Sequence, residues 1–273
     1  MQPITSFRNS RVKFLRSLRM RKYRQREACF LIEGIRAVEE ALACGAPMET
    51  LVYAPDLLVS ERAKALIDRV DQSQRLALSS DVFRTLSERD QPQGVVAVIR
   101  IEDRSLEAIP LSDSMLVIVA YQLRDPGNMG SLVRTADAAG ATGMVIVEPS
   151  VDVYDPHAVR ATMGSLFALP IVRVFDEAAL TQWYAAVRGA GVPLLVVASS
   201  AHGQQDYFDV DYRRPLVLLV GNEQRGLPAT VRAEADVLVR LPMVGRATSL
   251  NVSAAATALI YEVVRQRRGA GRR

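Results

Sequence analysis

The sequence predicts an α/β protein in two parts, a smaller α/β sandwich followed by a doubly wound domain on a parallel sheet. Three observations carry this. Short apolar stretches alternate with helix-length amphipathic ones along most of the chain. In the second half the apolar stretches become near-continuous, as strands buried on both faces of a parallel sheet must be. Between the halves lies a polar stretch with Pro110, which reads as a linker. The expected parts are residues 1–103, a linker over 104–114, the larger domain over 115–267 and a basic tail over 268–273.

In the first part, Arg8 to about Glu27 reads as one helix and Cys29–Gly34 as a short strand. Ile35–Cys44 is a helix, with Ile35, Val38 and Leu42 on one side and Gly45 as its stop. Thr50–Ala54 is a strand, Leu58–Val70 a helix and Arg75–Ser79 a strand. Ser80 caps a helix through Leu86, and Gly94–Ile101 closes the set. In the second part the strands are Met115–Ala120, Met144–Glu148, Ile171–Val174, Leu194–Ala198, Leu216–Val220 and Val237–Leu241. A long helix starts at Val252 and ends among Arg265, Arg267 and Arg268, which suits a helix C-terminus.

With 273 residues, 49% hydrophobic and 23% charged, the chain has a globular composition. No apolar run reaches the roughly 18 residues of a membrane span, and the N-terminal stretch lacks an apolar signal core. A soluble cytoplasmic protein is expected. Cys29 and Cys44 are too few for a disulfide scaffold, and with only His157 and His202 beside them no metal centre is expected.

The net charge of +4 is modest but unevenly spread. Nine of residues 1–26 are Arg or Lys and none is acidic. Such clusters release counterions from nucleic acid, so Arg8, Arg11, Arg16, Arg19, Arg21 and Lys22 are candidate RNA contacts. The plain alternative is a solvated or membrane-surface helix. Arg272 and Arg273 extend the basic C-terminus.

In a doubly wound sheet, chemistry belongs in the loops after the strands. The loop after Met115–Ala120 carries Pro126, Gly127 and Gly130 and leads into a helix. Asn128 and Arg134 lie outside that helix's apolar stripe, and they converge only if Asn128 sits in a turn ahead of it. The glycine spacing is not the GxGxxG dinucleotide fingerprint. The loop after Leu216–Val220, "GNEQRGLP", is bounded by Gly221 and Gly226, with Glu223 at the strand end. The loop after Val237–Leu241 carries Gly245, Ser249 and Asn251. Either of the last two would serve as an ordinary N-cap.

Together, "NMGSLVRTADAAGA", "LVLLVGNEQRGLP" and "LPMVGRATSLNVSAA" resemble the three motifs of the SpoU/TrmH family of RNA ribose 2′-O-methyltransferases, within the SPOUT superfamily. All three occur in order, each after an expected strand. "FLIEGIRAVEEAL" more loosely resembles the L30e-like substrate-binding domain often attached in that family. Gln224 and Arg225 depart from the more acidic filling common among relatives and add positive charge.

The resemblance implies a trefoil-knotted domain, S-adenosyl-L-methionine as cofactor, RNA as partner, and a homodimer whose active site forms at the interface. By motif position it implies Ser199, Gly221, Leu241 and Leu250 in the cofactor pocket. It likewise implies Asn128, Arg134, Glu223, Ser249 and Asn251 in the polar active site. The family's proton-handling residue would be Arg134, although a protonated guanidinium has no lone pair to accept with. Arg134 therefore either loses its proton in a desolvated site, with help from an RNA phosphate, or stays cationic and stabilises phosphate and alkoxide. 23S rRNA is the favoured substrate. Transfer RNA, and rRNA methylation conferring antibiotic resistance, stay open. The alternatives are a Rossmann-type enzyme, which lacks its glycine fingerprint here, and a non-catalytic RNA-binding protein, which would have lost the Asn/Arg or Ser/Asn positions.

Overall fold

The structure is a computed structural model that describes residues 2–270; Arg272 and Arg273 of the basic tail lie outside the described residues. The described residues form two compact units, one running through Glu102 and including Asp152–Ala168, the other formed by Asp103–Val151 with the described residues from Leu169 onward. Among the described residues no helix is long and apolar enough to cross a membrane.

The first unit is built on a four-stranded sheet of β1 (Cys29–Glu33), β2 (Met48–Tyr53), β3 (Arg75–Ala77) and β4 (Val95–Arg100), in the order β1-β4-β2-β3. Only β2 and β3 run parallel; β4 is antiparallel to both of its neighbours. Around the sheet pack α1 (Ser10–Ser17), α2 (Arg21–Glu27), α3 (Ile35–Ala43), α4 (Glu61–Asp68), α5 (Ser80–Arg84) and, from later in the chain, α7 (Pro156–Thr162). Val12, Leu15 and Leu18 join Val82, Phe83, Val96 and Val98 in one buried cluster.

The single N-terminal helix expected from the sequence is two helices. Leu18 ends α1, and Met20 is extended at φ −97°, ψ 129°. The break has a use. It frees the carbonyls of Leu18 and Arg19, which accept from Arg24 Nη1 at 3.0 and 2.7 Å. Arg24, one of the nine clustered bases, is only 1% exposed and belongs to the core. Its Nε donates to Asp152 Oδ2 at 2.8 Å, and Nη2 lies 2.7 Å from the same oxygen. A buried guanidinium is tolerable only when paired and hydrogen-bonded in this way.

That ion pair explains a second difference. Asp152–Ala168 falls inside the expected larger domain but packs with the first unit. Phe30 of β1 reinforces the attachment, with ring centroids 4.7 Å from Tyr154 and 6.3 Å from Phe167.

The second unit carries a seven-stranded sheet of β5 (Leu116–Tyr121), β6 (Gly143–Val147), β7 (Ile171–Val174), β8 (Leu195–Ser199), β9 (Gln205–Asp206), β10 (Leu216–Val220) and β11 (Val237–Arg240). The order is β7-β6-β5-β10-β8-β11-β9, and every pairing is parallel. All residues of β5, β6 and β10 are buried, as strands covered on both faces must be. The remaining helices are α6 (Pro126–Ala138), α8 (Glu177–Gly189), α9 (Ala229–Ala233) and α10 (Val252–Ala270). α8 buries Leu180, Trp183, Tyr184 and Val187, and α10 buries Ala256, Leu259, Ile260 and Val263. Both sets have the i, i+3, i+4, i+7 spacing of one helical face.

The expected linker is partly core, because Leu106 and Ile109 are buried in the second unit's main cluster. At the C-terminus, Arg267 is half-buried and donates to the carbonyls of Ser114, Met115, Tyr212 and Arg214 at 2.6–3.2 Å. It anchors α10 rather than facing solvent.

Replacing Arg24 by Met keeps most of the side-chain volume but strands the Asp152 carboxylate in the interior. The expected loss is about 3–5 kcal/mol, the usual cost of leaving one partner of a buried pair alone. Urea unfolding of Arg24→Met against wild type measures it, and a shift under 1 kcal/mol would rule out the anchoring role.

Candidate active site

β10 lies between β5 and β8, and β11 follows β8. The loops leaving the carboxyl ends of these strands are therefore neighbours. Those after β8, β10 and β11 enclose a cleft of about 890 Å³. Ser199, Gly221, Leu241 and Leu250, expected in one pocket, all line it. Leu250 is 48% exposed, an apolar surface left open on the cleft.

Gly221 ends β10 where no other residue fits. A Cβ there would lie 2.5 Å from the carbonyl carbon of Gly226 and 2.7 Å from the amide of Leu227. The close approach closes the turn: Asn222 N donates to Gly226 O at 3.2 Å and Gly226 N to Asn222 O at 2.9 Å. The buried Asn222 side chain holds the turn to the β5 loop. Its Nδ2 donates to Gln122 O at 2.7 Å, and its Oδ1 accepts from the amides of Gln224 and Arg225 at 3.0 Å.

Glu223 is thereby presented to the start of α6. Its carboxylate accepts from the backbone amides of Arg124 and Asp125 at 3.2–3.3 Å and from Asn128 Nδ2 at 3.2 Å. Asn128 Oδ1 accepts from Asn251 Nδ2 at 2.9 Å. Asn251 Oδ1 accepts from Ser253 N at 2.9 Å, Ser253 Oγ at 2.7 Å and Ala254 N at 3.3 Å, which makes Asn251 the cap of α10. Glu223, Asn128 and Asn251 thus form one hydrogen-bonded chain across three loops. Glu223 and Ser249 also line the cleft.

Arg134 is not brought to this cluster. α6 begins at Pro126, so Asn128 is its third residue and not part of a preceding turn. Asp125 caps the helix, accepting from Asn128 N at 2.7 Å, and Pro126 suits the first turn. Six further residues of helix place Arg134 about 120° around the axis from Asn128. It is exposed and makes no hydrogen bond or ion pair among the described residues.

Sequence reasoning missed Asp125 and Asn222. Asp followed by Pro is a legible helix start, whereas nothing local announces that Asn222 is buried. It also missed Arg232 and Arg246, which line the cleft with Arg225 and give it a basic rim, and Arg240, which lines it while paired with Asp206 at 2.7 Å. Of the expected RNA contacts, Arg8, Arg11, Arg21 and Lys22 are exposed. Arg16 and Arg19 are half-buried and spend donors on the protein, Arg16 on Thr85 Oγ1 at 2.8–3.0 Å and Arg19 on Leu86 O and Ser87 O at 2.9–3.0 Å. Among the described residues there is no group of three or more His, Cys, Asp or Glu placed to hold a metal ion.

Residues 115–261 match the SpoU rRNA Methylase family, and residues 9–97 match the MRM3-like substrate binding domain. A 23S rRNA (uridine(2479)-2'-O)-methyltransferase of Streptomyces viridochromogenes is 40% identical over 90% of this chain and 86% of its own length. A 23S rRNA (guanosine(2553)-2'-O)-methyltransferase of Bacillus subtilis, RlmP, is 31% identical over 96% and 99%. Among solved structures, the SpoU methyltransferase AviRb from Streptomyces viridochromogenes, in complex with the cofactor AdoMet, superposes with a TM-score of 0.90 at 39% identity. That match covers 96% of this chain and 99% of AviRb. An AdoMet-bound rRNA methyltransferase from Sinorhizobium meliloti gives 0.85 at 38% identity, covering 97% of each chain.

The double use of Asn251 can be separated. Asn251→Ala removes the cap and should cost about 1 kcal/mol of stability, whereas Asn251→Asp keeps the cap and should stay within about 0.5 kcal/mol of wild type. Thermal denaturation of both checks this; equal losses would deny that the side chain caps α10.

Proposed function

The chain belongs to the SpoU rRNA methylase family, and from that premise we propose that it methylates a ribose 2'-OH of 23S rRNA with S-adenosylmethionine as methyl donor. One observation carries the reading. The cleft lined by Ser199, Gly221, Leu241 and Leu250 lies beside the hydrogen-bonded chain Glu223–Asn128–Asn251, so a cofactor place and a ribose place share one edge of the sheet.

The cleft suits such a cofactor in size and chemistry. About 890 Å³ falls within the usual range for small-molecule sites. Its lining combines apolar Leu241 and Leu250, the hydroxyl of Ser199 and the exposed backbone of glycine-containing turns, which together can hold a nucleoside and an amino acid. When bound, the cofactor supplies a methyl group made electrophilic by its sulfonium.

The protein's part is to place the 2'-OH and help remove its proton. Asn128 and Asn251 are rigidly oriented by their mutual hydrogen bond, and with Glu223 and Ser249 they position the ribose. The basic rim of Arg225, Arg232 and Arg246 receives the RNA backbone. Arg134 either stays cationic and stabilises the developing alkoxide and its neighbouring phosphate, or, having first lost its own proton in a site desolvated by bound RNA, takes up the proton of the 2'-OH.

Within one chain Arg134 turns away from Asn128, and this supports a homodimer in which each copy's Arg134 completes the other's site. Leu250 and Tyr261, 48% and 47% exposed, are apolar surface on the same segment and on α10 that a second copy would cover. The exposed Arg8, Arg11 and Lys22 add RNA affinity.

Ribose-methylation mapping across total RNA, with and without the protein, should show a 23S rRNA position that depends on it. Maps that are identical everywhere would sink the proposal. Arg134→Ala should slow single-turnover methylation by about 10²–10⁴-fold, the range for a positioned proton-transfer group, with unchanged cofactor affinity by calorimetry. Arg134→Lys divides the roles: rescue points to charge stabilisation, and failure to the guanidinium's geometry or proton chemistry. A near wild-type rate for Arg134→Ala at saturating RNA would remove Arg134 from the mechanism.

A further inference from the structure

We propose that the first unit holds a site for one splayed-out nucleotide of the RNA, in a cleft formed by α3, the Ser87–Gln93 loop and α7. This rests on the RNA reading above and deepens it, because it assigns a second recognition point in addition to the methylated ribose.

The cleft has a volume of about 330 Å³, at the low end for small-molecule sites. It has room for one nucleotide but not for a helix or strand of a partner. Its walls are apolar, with Leu86, Val96 and Val159 buried and Leu31, Ala37 and Met163 beside them. Five arginines are among its lining residues, Arg19, Arg36, Arg62, Arg89 and Arg160, against two acids, Glu33 and Glu88.

The charge is not cancelled internally. Glu33 is occupied: it accepts from Ser87 Oγ and from Glu88 N at 3.2 Å, and Arg89 Nε stands 4.0 Å away. Arg62 is paired with Glu39 of α3. Arg160 Nη2 lies 3.1 Å from His157 Nδ1. Arg36 is exposed and unpaired among the described residues. Arg19 Nε is buried and has no partner at all, although Nη2 of the same group is satisfied.

The opening of the cleft is kept clear. Gly34 precedes α3 at φ +104°, and a Cβ there would sit 3.0 Å from Gln93 Oε1 and 3.1 Å from Arg89 Nη2. Ile35 N donates to Gln93 Oε1 at 3.1 Å, which fixes the Gln93 amide at the entrance.

An apolar slot ringed by guanidinium groups matches a base with its phosphate. The base lies on the aliphatic wall and against a guanidinium plane, while the phosphate takes charge-assisted hydrogen bonds at the rim. An acidic peptide would satisfy the rim but not the slot.

The test uses the full chain and a 23S rRNA transcript. Arg36→Glu reverses an exposed charge at the cleft, Ala37→Trp fills it, and Arg84→Glu on α5, exposed and away from both the cleft lining and the N-terminal basic cluster, is the control for general charge. We expect the first two to raise the RNA KM at least tenfold, with kcat and the cofactor KM within twofold, and the control to change it much less. A 4-thiouridine-substituted transcript should photocrosslink to peptides containing residues 31–37 or 156–164, and Ala37→Trp should abolish those crosslinks. If Ala37→Trp does not fold, Arg36→Glu and the wild-type crosslinks decide alone. The proposal is overturned by an unchanged KM in correctly folded variants, by an equal loss in Arg84→Glu, by crosslinks confined to other peptides, or by hexaglutamate occupying the cleft in place of RNA. A wild-type protein that crosslinks here yet methylates no RNA would refute the proposed function and leave this site standing.

Discussion

Leu216–Val220 is hydrogen-bonded along both edges, to β5 on one side and β8 on the other. The strand arrives late in the sequence, yet it occupies the middle of the sheet. All of its side chains are buried, so a one-residue slip would put no polar group into solvent and would gain nothing. What fixes its register is the turn beyond it. Gly221 permits the backbone contact with Gly226, and Asn222 ties that turn to Gln122. Once β10 is locked there, the loops after β5, β8 and β11 have no choice but to surround its end.

The polar cluster follows from that placement by electrostatics. A carboxylate that accepts from two backbone amides at the start of a helix sits where the unsatisfied N–H groups and the helix dipole both favour negative charge. Glu223 therefore serves two ends. It stabilises the entry to α6, and it fixes which way the Asn128 amide faces. Asn251 repeats the economy at the entry to α10, with one side-chain atom capping the helix and the other directed at Asn128. Groups held this way need little reorganisation when a ligand arrives, the condition for electrostatic preorganisation.

Much of this was legible in the sequence, for reasons that differ by element. β10 has the bounds its apolar run suggests, because a strand buried on both faces has nothing to interrupt it, and the edge strand β7 keeps its expected bounds although Arg173 is only partly buried. The loop after β10 was legible through Gly221, which must sit where backbones meet, and the other two loop motifs through their resemblance to the family's motifs. The break between α1 and α2 was not, since Leu18–Met20 contains neither Gly nor Pro and the reason for it is a guanidinium several residues on. Nor was the interior place of Arg24, because composition counts a buried Arg as it counts an exposed one. The motif's glycines suggest a turn at Asn128, but the Asp125–Pro126 pair outweighs them and starts α6 ahead of it. Asp152–Ala168 carries the same alternation as its surroundings, so only the contacts of Asp152, Tyr154 and Phe167 reveal where it belongs.

The pairing of Arg24 with Asp152 spans 128 positions of sequence. A ribosome delivers the N-terminal member first, and at typical synthesis speeds the carboxylate follows on the order of ten seconds later. Through that interval the nascent chain owns a sheet and most of its helices but not the counter-charge for its interior cation. The first unit therefore cannot mature as it emerges. It must wait, incomplete, until the opening strands of the second have left the exit tunnel, so the order of birth along the polypeptide is not the order in which its two units can be finished.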